Sequence, residues 1–360
     1  MTIFEATTDY EAWMRKCTTV VEAHLRRKHR RMRDDLFGFL RGSFYRWAQL
    51  WPTVCRQLQQ APYVLAIGDL HVGSFGTWRD AEGRLCWGVD DFDESYPLPY
   101  TNDLVRLAAS AKLLIDTEHL TVKLKDACVA ILDGYRRTLR DGGCPMVLAE
   151  QETNLERLGV ATIRPAEQFW PTLQALPVPR RPIPPVARRV LERTLPDAHV
   201  DYKVVSREAG LGSLGQERFV AIAHWSGGLI AREAKAVVPS ACAWLKGGVS
   251  RRQSFYQRTL AGAVRSRDPF QTARGGWSIR RLSPDSNPIE VTDLPRSRDE
   301  HTLLRAMGTE AANVHLGSER RAKSILADLS RRKSSWLRVA AKDMAKAMER
   351  EWKEFRDRVE

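Results

Sequence analysis

A chain of 360 residues predicts two lobes or two domains, and 43% hydrophobic with 28% charged residues support a sizeable core and exclude global disorder. No apolar run is long enough to span a membrane, the start MTIFEATTDYEAW carries no secretory pattern, and the cysteines form no Cys-x-x-Cys pair, so a cytoplasmic protein with reduced thiols is expected. The balance of 57 Lys+Arg against 44 Asp+Glu, net +13, favours anionic partners: nucleic acid, nucleotides, phosphorylated compounds or acidic surfaces.

Thr19 to Arg33 reads as a helix with Val21, Leu25 and Met32 on one face and the cluster Arg26-Arg27-Lys28-His29-Arg30-Arg31 around the rest. Such a run is either a solvated face or a phosphate-contacting surface for nucleic acid. The aromatic stretch DLFGFLRGSFYRWAQLW follows, buried on at least one side. Arg41, within it, either reaches a phosphate or braces acidic residues. Tyr63 to Ile67 is a short strand running into Gly68-Asp69-Leu70-His71, and Phe75 to Asp80 with Arg84 to Val89 form a hairpin around Ala81-Glu82-Gly83. Asp103 to Asp116 and Val122 to Leu139 have helical spacing.

Composition changes near Leu176, where LPVPRRPIPPVARR carries five prolines in fourteen residues and predicts a linker. Beyond it, Val200 to Ala209, Arg218 to Ala223 and Gly228 to Ala236 read as three strands. A helix from Ser250 to Val264, strands at Trp277 to Leu282 and Ile289 to Leu294, and helices from Asp299 onward complete the chain. The expected division is 1–175 as a helical lobe, 176–199 as linker, 200–298 as a β lobe, and 299–360 as helices returning to the first lobe.

Two constellations carry chemistry. Gly210-x-Gly212-x-x-Gly215, with Ser213 inside it, lies between strands, whereas a dinucleotide fingerprint needs a helix after the glycines. Strand, glycine loop, strand, turn and strand is the arrangement that covers ATP phosphates in kinases, with a lysine on the third strand. Lys235 fills that place, with Arg232 as competitor; a plain glycine-rich turn is the alternative. The second constellation is Asp69, leaving a buried strand, followed by Asp90, Asp91, Asp93 and Glu94. Phosphoryl transfer needs one carboxylate to position the nucleophilic hydroxyl and one to hold Mg²⁺ on the phosphates. Isolated, such acids cap turns, but four within five residues are costly to hold together without a cation. His71 is either catalytic or holds its loop by hydrogen bonds. The eleven tryptophans are scattered, without the basic interleaving of a base-stacking platform.

GDLHVGSF, VDDFDES and YTNDLVRLAAS together resemble the Gly-Asp-x-His-x-x-Asn, acidic-Asp-Phe-Asp and Asp-Leu-x-Arg-Leu series of the bacterial domain of unknown function 2252, a family of the protein-kinase-like and aminoglycoside-phosphotransferase-like superfamily. FGFLRG, GLGSLG with REAKA, and MGTEAANVH are similar to its supporting elements. The resemblance implies an α+β, two-lobed protein-kinase-like fold in circularly permuted order, with a mainly helical lobe and a small antiparallel sheet lobe. It makes Asp69 the catalytic carboxylate and Asp91 the metal ligand, with Asp90 and Asp93 as alternatives. Ser74 stands where kinases place a metal-binding Asn, which weakens a second Mg²⁺. Gly210, Gly212, Ser213 and Gly215 would cradle phosphates beside Lys235 or Arg232, and the helix around His315 would stand where a kinase chain enters its catalytic loop.

One departure concerns the acid that usually pairs with the strand lysine: no Glu occurs from Ala234 to Pro288. Gln253 or Gln257 is the neutral substitute, and Glu233 is expected to face away. The expected activity is ATP- and Mg²⁺-dependent phosphotransfer to an anionic small molecule or a protein; polycationic aminoglycosides suit a basic chain poorly. The alternatives are an inactive scaffold that binds nucleic acid or a regulatory partner, and transfer of AMP from the same site.

Overall fold

A computed structural model describes residues 1–117, 119–151, 163–248, 254–286, 299–318 and 321–358. The chain opens with four helices, α1 (Ile3–Cys17), α2 (Glu22–Asp34), α3 (Leu36–Gly42) and α4 (Phe44–Val54). Four short strands follow, β1 (Tyr63–Ala66), β2 (Phe75–Arg79), β3 (Leu85–Val89) and β4 (Tyr96–Pro99). Next come α5 (Thr101–Asp116), α6 (Leu124–Asp141), α7 (Leu148–Gln151), α8 (Ala166–Gln174) and α9 (Pro185–Glu192). The sheet strands β5 (Tyr202–Ser206), β6 (Arg218–Trp225), β7 (Gly228–Ala236), β8 (Thr272–Arg274) and β9 (Trp277–Leu282) enclose α10 (Ala241–Trp244) and α11 (Tyr256–Gly262). Helices α12 (Asp299–Leu316), α13 (Ala322–Arg331) and α14 (Trp336–Arg358) end it.

The fold is α+β with small antiparallel sheets. A helical body has one continuous core running from Ile3 to Phe355, so both ends of the described chain pack into it. Phe4 stacks on Phe355 with ring centroids 6.0 Å apart. Within this body β1 pairs with β4, and β2 with β3. These strands place the turns after β1 and β3 at one edge. Facing that edge is a five-stranded antiparallel sheet in the order β5-β6-β7-β9-β8. Its alternating residues bury two faces. Phe219, Ala221, Ala234 and Ile279 pack under α9, while Val205, Val220, Ile222 and Leu282 pack against Leu173, Phe169 and Trp170 of α8. No helix among the described residues is long and apolar enough to cross a membrane.

Several expectations change. The proline-rich stretch 176–199 is not merely a linker, because Pro185 starts α9 and Ala187, Val190 and Leu191 cover the sheet. Proline lacks the amide that the first helical turn leaves unbonded, so it suits that position. Helix α8, expected within the helical lobe, packs on the sheet. The basic helix begins at Glu22 because Val20 pairs with Gln216 instead. The described part of the helix expected at 250–264 is Tyr256–Gly262, and the strand expected at 289–294 lies outside the described residues.

Helices α6 and α12 cross at glycines. A Cβ at Gly308 would meet the Ile131 carbonyl oxygen at 2.0 Å, and one at Gly134 would meet that of Arg305 at 2.0 Å. Backbone cannot yield as a side-chain tip can. Gly308→Ala is therefore expected to lower the urea-unfolding free energy by about 1–3 kcal/mol, the usual cost of overpacking. An unchanged midpoint and slope would refute this packing.

Candidate active site

Between the helical body and the sheet lies a cleft of about 470 Å³. Its floor comes from the turns after β1 and β3, its roof from the glycine loop with β7 and β9, and one wall from α2 and α3.

The floor begins with a turn held by an acid from another helix. The N–H groups of Ile67 and Gly68 both donate to the Asp103 carboxylate, at 2.7 and 3.0 Å. Asp103 is paired in turn with His315 Nε2 at 3.0 Å, and the other ring nitrogen of His315 lies 2.7 Å from the Tyr135 hydroxyl. Gly68 has φ +84°, and a Cβ there would meet the Glu94 carbonyl oxygen at 2.3 Å, so glycine is required. Pinned this way, the chain presents Asp69 to the cleft. One Asp69 oxygen accepts from Arg106 Nε at 2.6 Å. Arg106 is fully buried, lies over the Phe44 and Trp47 rings, and donates to the Leu40 carbonyl at 2.8 Å. Burial raises the Asp69 pKa, and the Arg106 charge works against that rise.

Ser74 and His71 close the same loop. Ser74 Oγ donates to the Asp69 carbonyl and accepts from the His71 amide, both at 3.0 Å. The hydroxyl expected to face a second metal is thus engaged within the loop. His71 Nδ1 accepts from Gly73 N–H at 3.1 Å, and burial keeps the ring neutral by pushing its pKa well below the usual value. The imidazole does hold its loop.

The acids after β3 diverge. Asp91 is exposed, with both carboxylate oxygens 3.3 Å from Lys235 Nζ. Asp93 Oδ2 lies 2.6 Å from the same ammonium, yet neither of its buried oxygens accepts a well-directed hydrogen bond. Burial, with the Asp91 charge adding to it, raises the Asp93 pKa to about 6. Asp90 turns toward Arg280, at 3.5 Å. Glu94 accepts the Ala241 amide at 2.7 Å. Among the described residues no three Asp, Glu, His or Cys groups form a metal cage. Mg²⁺, however, commonly takes one or two carboxylates and fills its sphere with water and phosphate oxygens. Asp91 and the underbonded Asp93 fit that role, and the Lys235 ammonium lies beside both.

The glycine loop hangs directly over Asp69. Gly210 and Gly215 adopt φ of +70° and +103°. A Cβ on Gly212 would stand 3.3 Å from the Arg41 carbonyl oxygen and 3.8 Å from Asp69 Oδ2. Ser213 Oγ accepts from Arg218 at 2.6 Å. Gly215 departs from its expected role: it packs on Leu25 and is not among the residues lining the cleft. The loop is fastened to α2, where Lys28 Nζ donates to the Gly212 carbonyl at 2.9 Å and Val21 N–H to that of Gly215 at 2.8 Å. Arg27 and His24 face Glu208, and His29 faces Glu11. The expected basic face is therefore partly turned inward, with Arg26, Arg30 and Arg31 left exposed.

On β7 the structure corrects the expectation for Glu233. It lies two residues from Lys235, so strand alternation puts both on the cleft face. Its buried carboxylate accepts from Arg207 at 2.6 Å, Arg218 at 2.9 Å and Arg280 at 2.8 Å. Arg232, one residue over, points to the opposite face. It donates to the Thr194 carbonyl at 3.0 Å and lies over the Phe270 ring, so it does not compete with Lys235. Gln257 bonds Ala273 N–H at 2.7 Å instead of Lys235, and Gln253 lies outside the described residues. The sequence marks Lys28 only as part of the basic cluster and Arg106 only as the arginine of the Asp-Leu-x-Arg-Leu pattern, and the three arginines around Glu233 carry no local signal.

Residues 20–168 match the model of a family described as "Uncharacterized protein conserved in bacteria (DUF2252)". That stretch holds Arg41, Asp69, His71, Ser74, the acidic run and Asp103. The glycine loop, Lys235 and His315 fall beyond it. No curated protein and no solved structure matches the chain.

Burial raises the Glu94 pKa to about 8 from its ordinary 4.5. The folded protein keeps this proton where the unfolded chain has released it, so stability falls as pH rises between those values. Glu94→Gln stays neutral and still accepts the Ala241 amide. It is expected to flatten that fall, gaining Tm over the wild type progressively from about pH 5 to about pH 9. Parallel Tm curves for the two proteins would refute the assignment.

Proposed function

We propose that the cleft binds a nucleoside triphosphate with a divalent cation and transfers its terminal phosphoryl group to the hydroxyl of an anionic small molecule or a protein. The observation that carries this reading is the convergence of Asp69, Asp91 and Lys235, from three separate segments, beneath one glycine loop. The sheet order, with that loop joining the first two strands and Lys235 on the third, supports it further. Charge is layered to suit a polyphosphate. Arg207, Arg218, Lys235 and Arg280 line the roof, and the carboxylates line the floor.

In this reading Asp69 receives the acceptor hydroxyl. Its Oδ1 is fixed by Arg106, and its other oxygen faces the Gly212 tip, so the carboxylate holds one orientation toward the nucleophile. It takes the hydroxyl proton as the acceptor oxygen bonds to the terminal phosphorus and the bridging P–O bond breaks to release the nucleoside diphosphate. Lys235 exchanges the two aspartates for phosphate oxygens. Asp91 and Asp93 would hold the divalent cation, which when bound neutralises charge on the phosphates. The amides of the glycine loop exclude water above the transferred group.

Calorimetric titration with ATP is expected to show binding that requires Mg²⁺ and that weakens about tenfold or more in Asp91→Ala and in Lys235→Ala, the loss of a charge-assisted contact. In turnover assays label is expected to leave ATP from the γ-position, whereas release from the α-position would indicate AMP transfer. Absence of binding at millimolar ATP in the wild type would end the nucleotide reading.

A further inference from the structure

On the α3 side of Asp69 the cleft contains two hydrogen-bond donors without acceptors among the described residues. Arg41 makes no ion pair and no side-chain hydrogen bond there, and its Nε is buried without a partner. Its charge acts on Asp69 from a distance, while the bonded partner of that carboxylate is Arg106, at 2.6 Å. The second donor is His71. With Nδ1 accepting from Gly73, the neutral ring carries its proton on Nε2, and His71 lines the same cleft. Phe37 orients both groups: the Arg41 guanidinium lies 5.6 Å from its ring centroid, and the imidazole meets the ring edge-on at 6.1 Å.

A guanidinium held beside a cleft with a buried, unpaired N–H is unfavourable unless a ligand completes it. Its planar fork suits an oxyanion, and a neutral imidazole N–H adds a donor without adding charge. We propose that Arg41 and His71 form an oxyanion subsite in the cleft beside Asp69. This rests on the phosphotransfer reading for its purpose, but not for its existence. The anion has two possible sources, the terminal phosphate of the nucleotide or an acidic group of the acceptor, and both present the same oxygens. Arg41 is then a catalytic residue in the first case and a specificity-determining one in the second.

The test uses the full-length protein and compares Mg·ATP, Mg·ADP and inorganic phosphate, the last with and without saturating Mg·ADP. Arg41→Gln is the main variant. Arg41→Lys keeps the charge but not the planar fork, and should show an intermediate loss. If the anion is the terminal phosphate, Arg41→Gln should weaken Mg·ATP about tenfold or more and leave Mg·ADP within about twofold. If it belongs to the acceptor, both nucleotides should bind normally and inorganic phosphate should weaken by a similar factor. Unchanged binding of all three to a folded Arg41→Gln protein would overturn the subsite, as would failure of the wild type to bind any of them. A wild type that binds phosphate but no nucleotide would end the phosphotransfer reading while leaving the subsite to be decided by Arg41→Gln.

Discussion

Everything in the cleft depends on one carboxylate receiving two backbone N–H groups. Asp103, buried on α5, fixes Ile67 and Gly68, and through them the direction in which Asp69 leaves β1. A buried anion in that position needs compensation, and His315 and Tyr135 extend the network to α12 and α6. The three helices that frame the core of the helical body are thereby tied to a single turn. The glycine contacts between α6 and α12, at Gly134 against Arg305 and Gly308 against Ile131, draw together the two helices that carry Tyr135 and His315.

Across the cleft, charge is arranged so that few groups stand alone. Glu233 answers three arginines, Lys235 answers two aspartates and Arg106 answers Asp69. Buried ion pairs of this kind contribute little net stability, but removing one partner strands the other. The arrangement keeps long cationic side chains extended over a narrow volume. For the polyphosphate proposed above, the donors would already be oriented, and the Lys235 contacts with Asp91 and Asp93 would be the ones exchanged.

Elements with a strong apolar period were legible in the sequence: α5, α6, β6 and β7 lie where spacing places them. Asp69, Asp91 and Lys235 stand out in the sequence because glycines and clustered acids mark turns and charged positions locally, and the fold brings the three to one cleft. What was hidden had another cause in each case. Helix α1 is amphipathic but polar on average, and its start is signalled only by the Thr2–Glu5 capping box. Prolines around α9 masked the helical spacing of Ala187, Val190 and Leu191. Glu233 stands two residues from Lys235, so strand alternation puts both on one face. The three arginines that hold its carboxylate come from separate strands and a loop, which no single stretch of sequence reveals. Lys28 on Gly212 joins segments far apart in the chain, and no local pattern announces such a contact.

That last contact also sets the order in which the site can come into being. The carboxylates emerge first, on a stretch that packs with its neighbours, while the loop and lysine that complete the cleft follow more than a hundred residues later. The final closing strand, β9, ends at Leu282, and α12 brings His315 later still. A ribosome-bound fragment ending before those elements therefore carries the acids without their roof. The proposed ligand site thus waits on contacts made far apart in the sequence, and long-range closure of this kind belongs to the slow, late phase of folding.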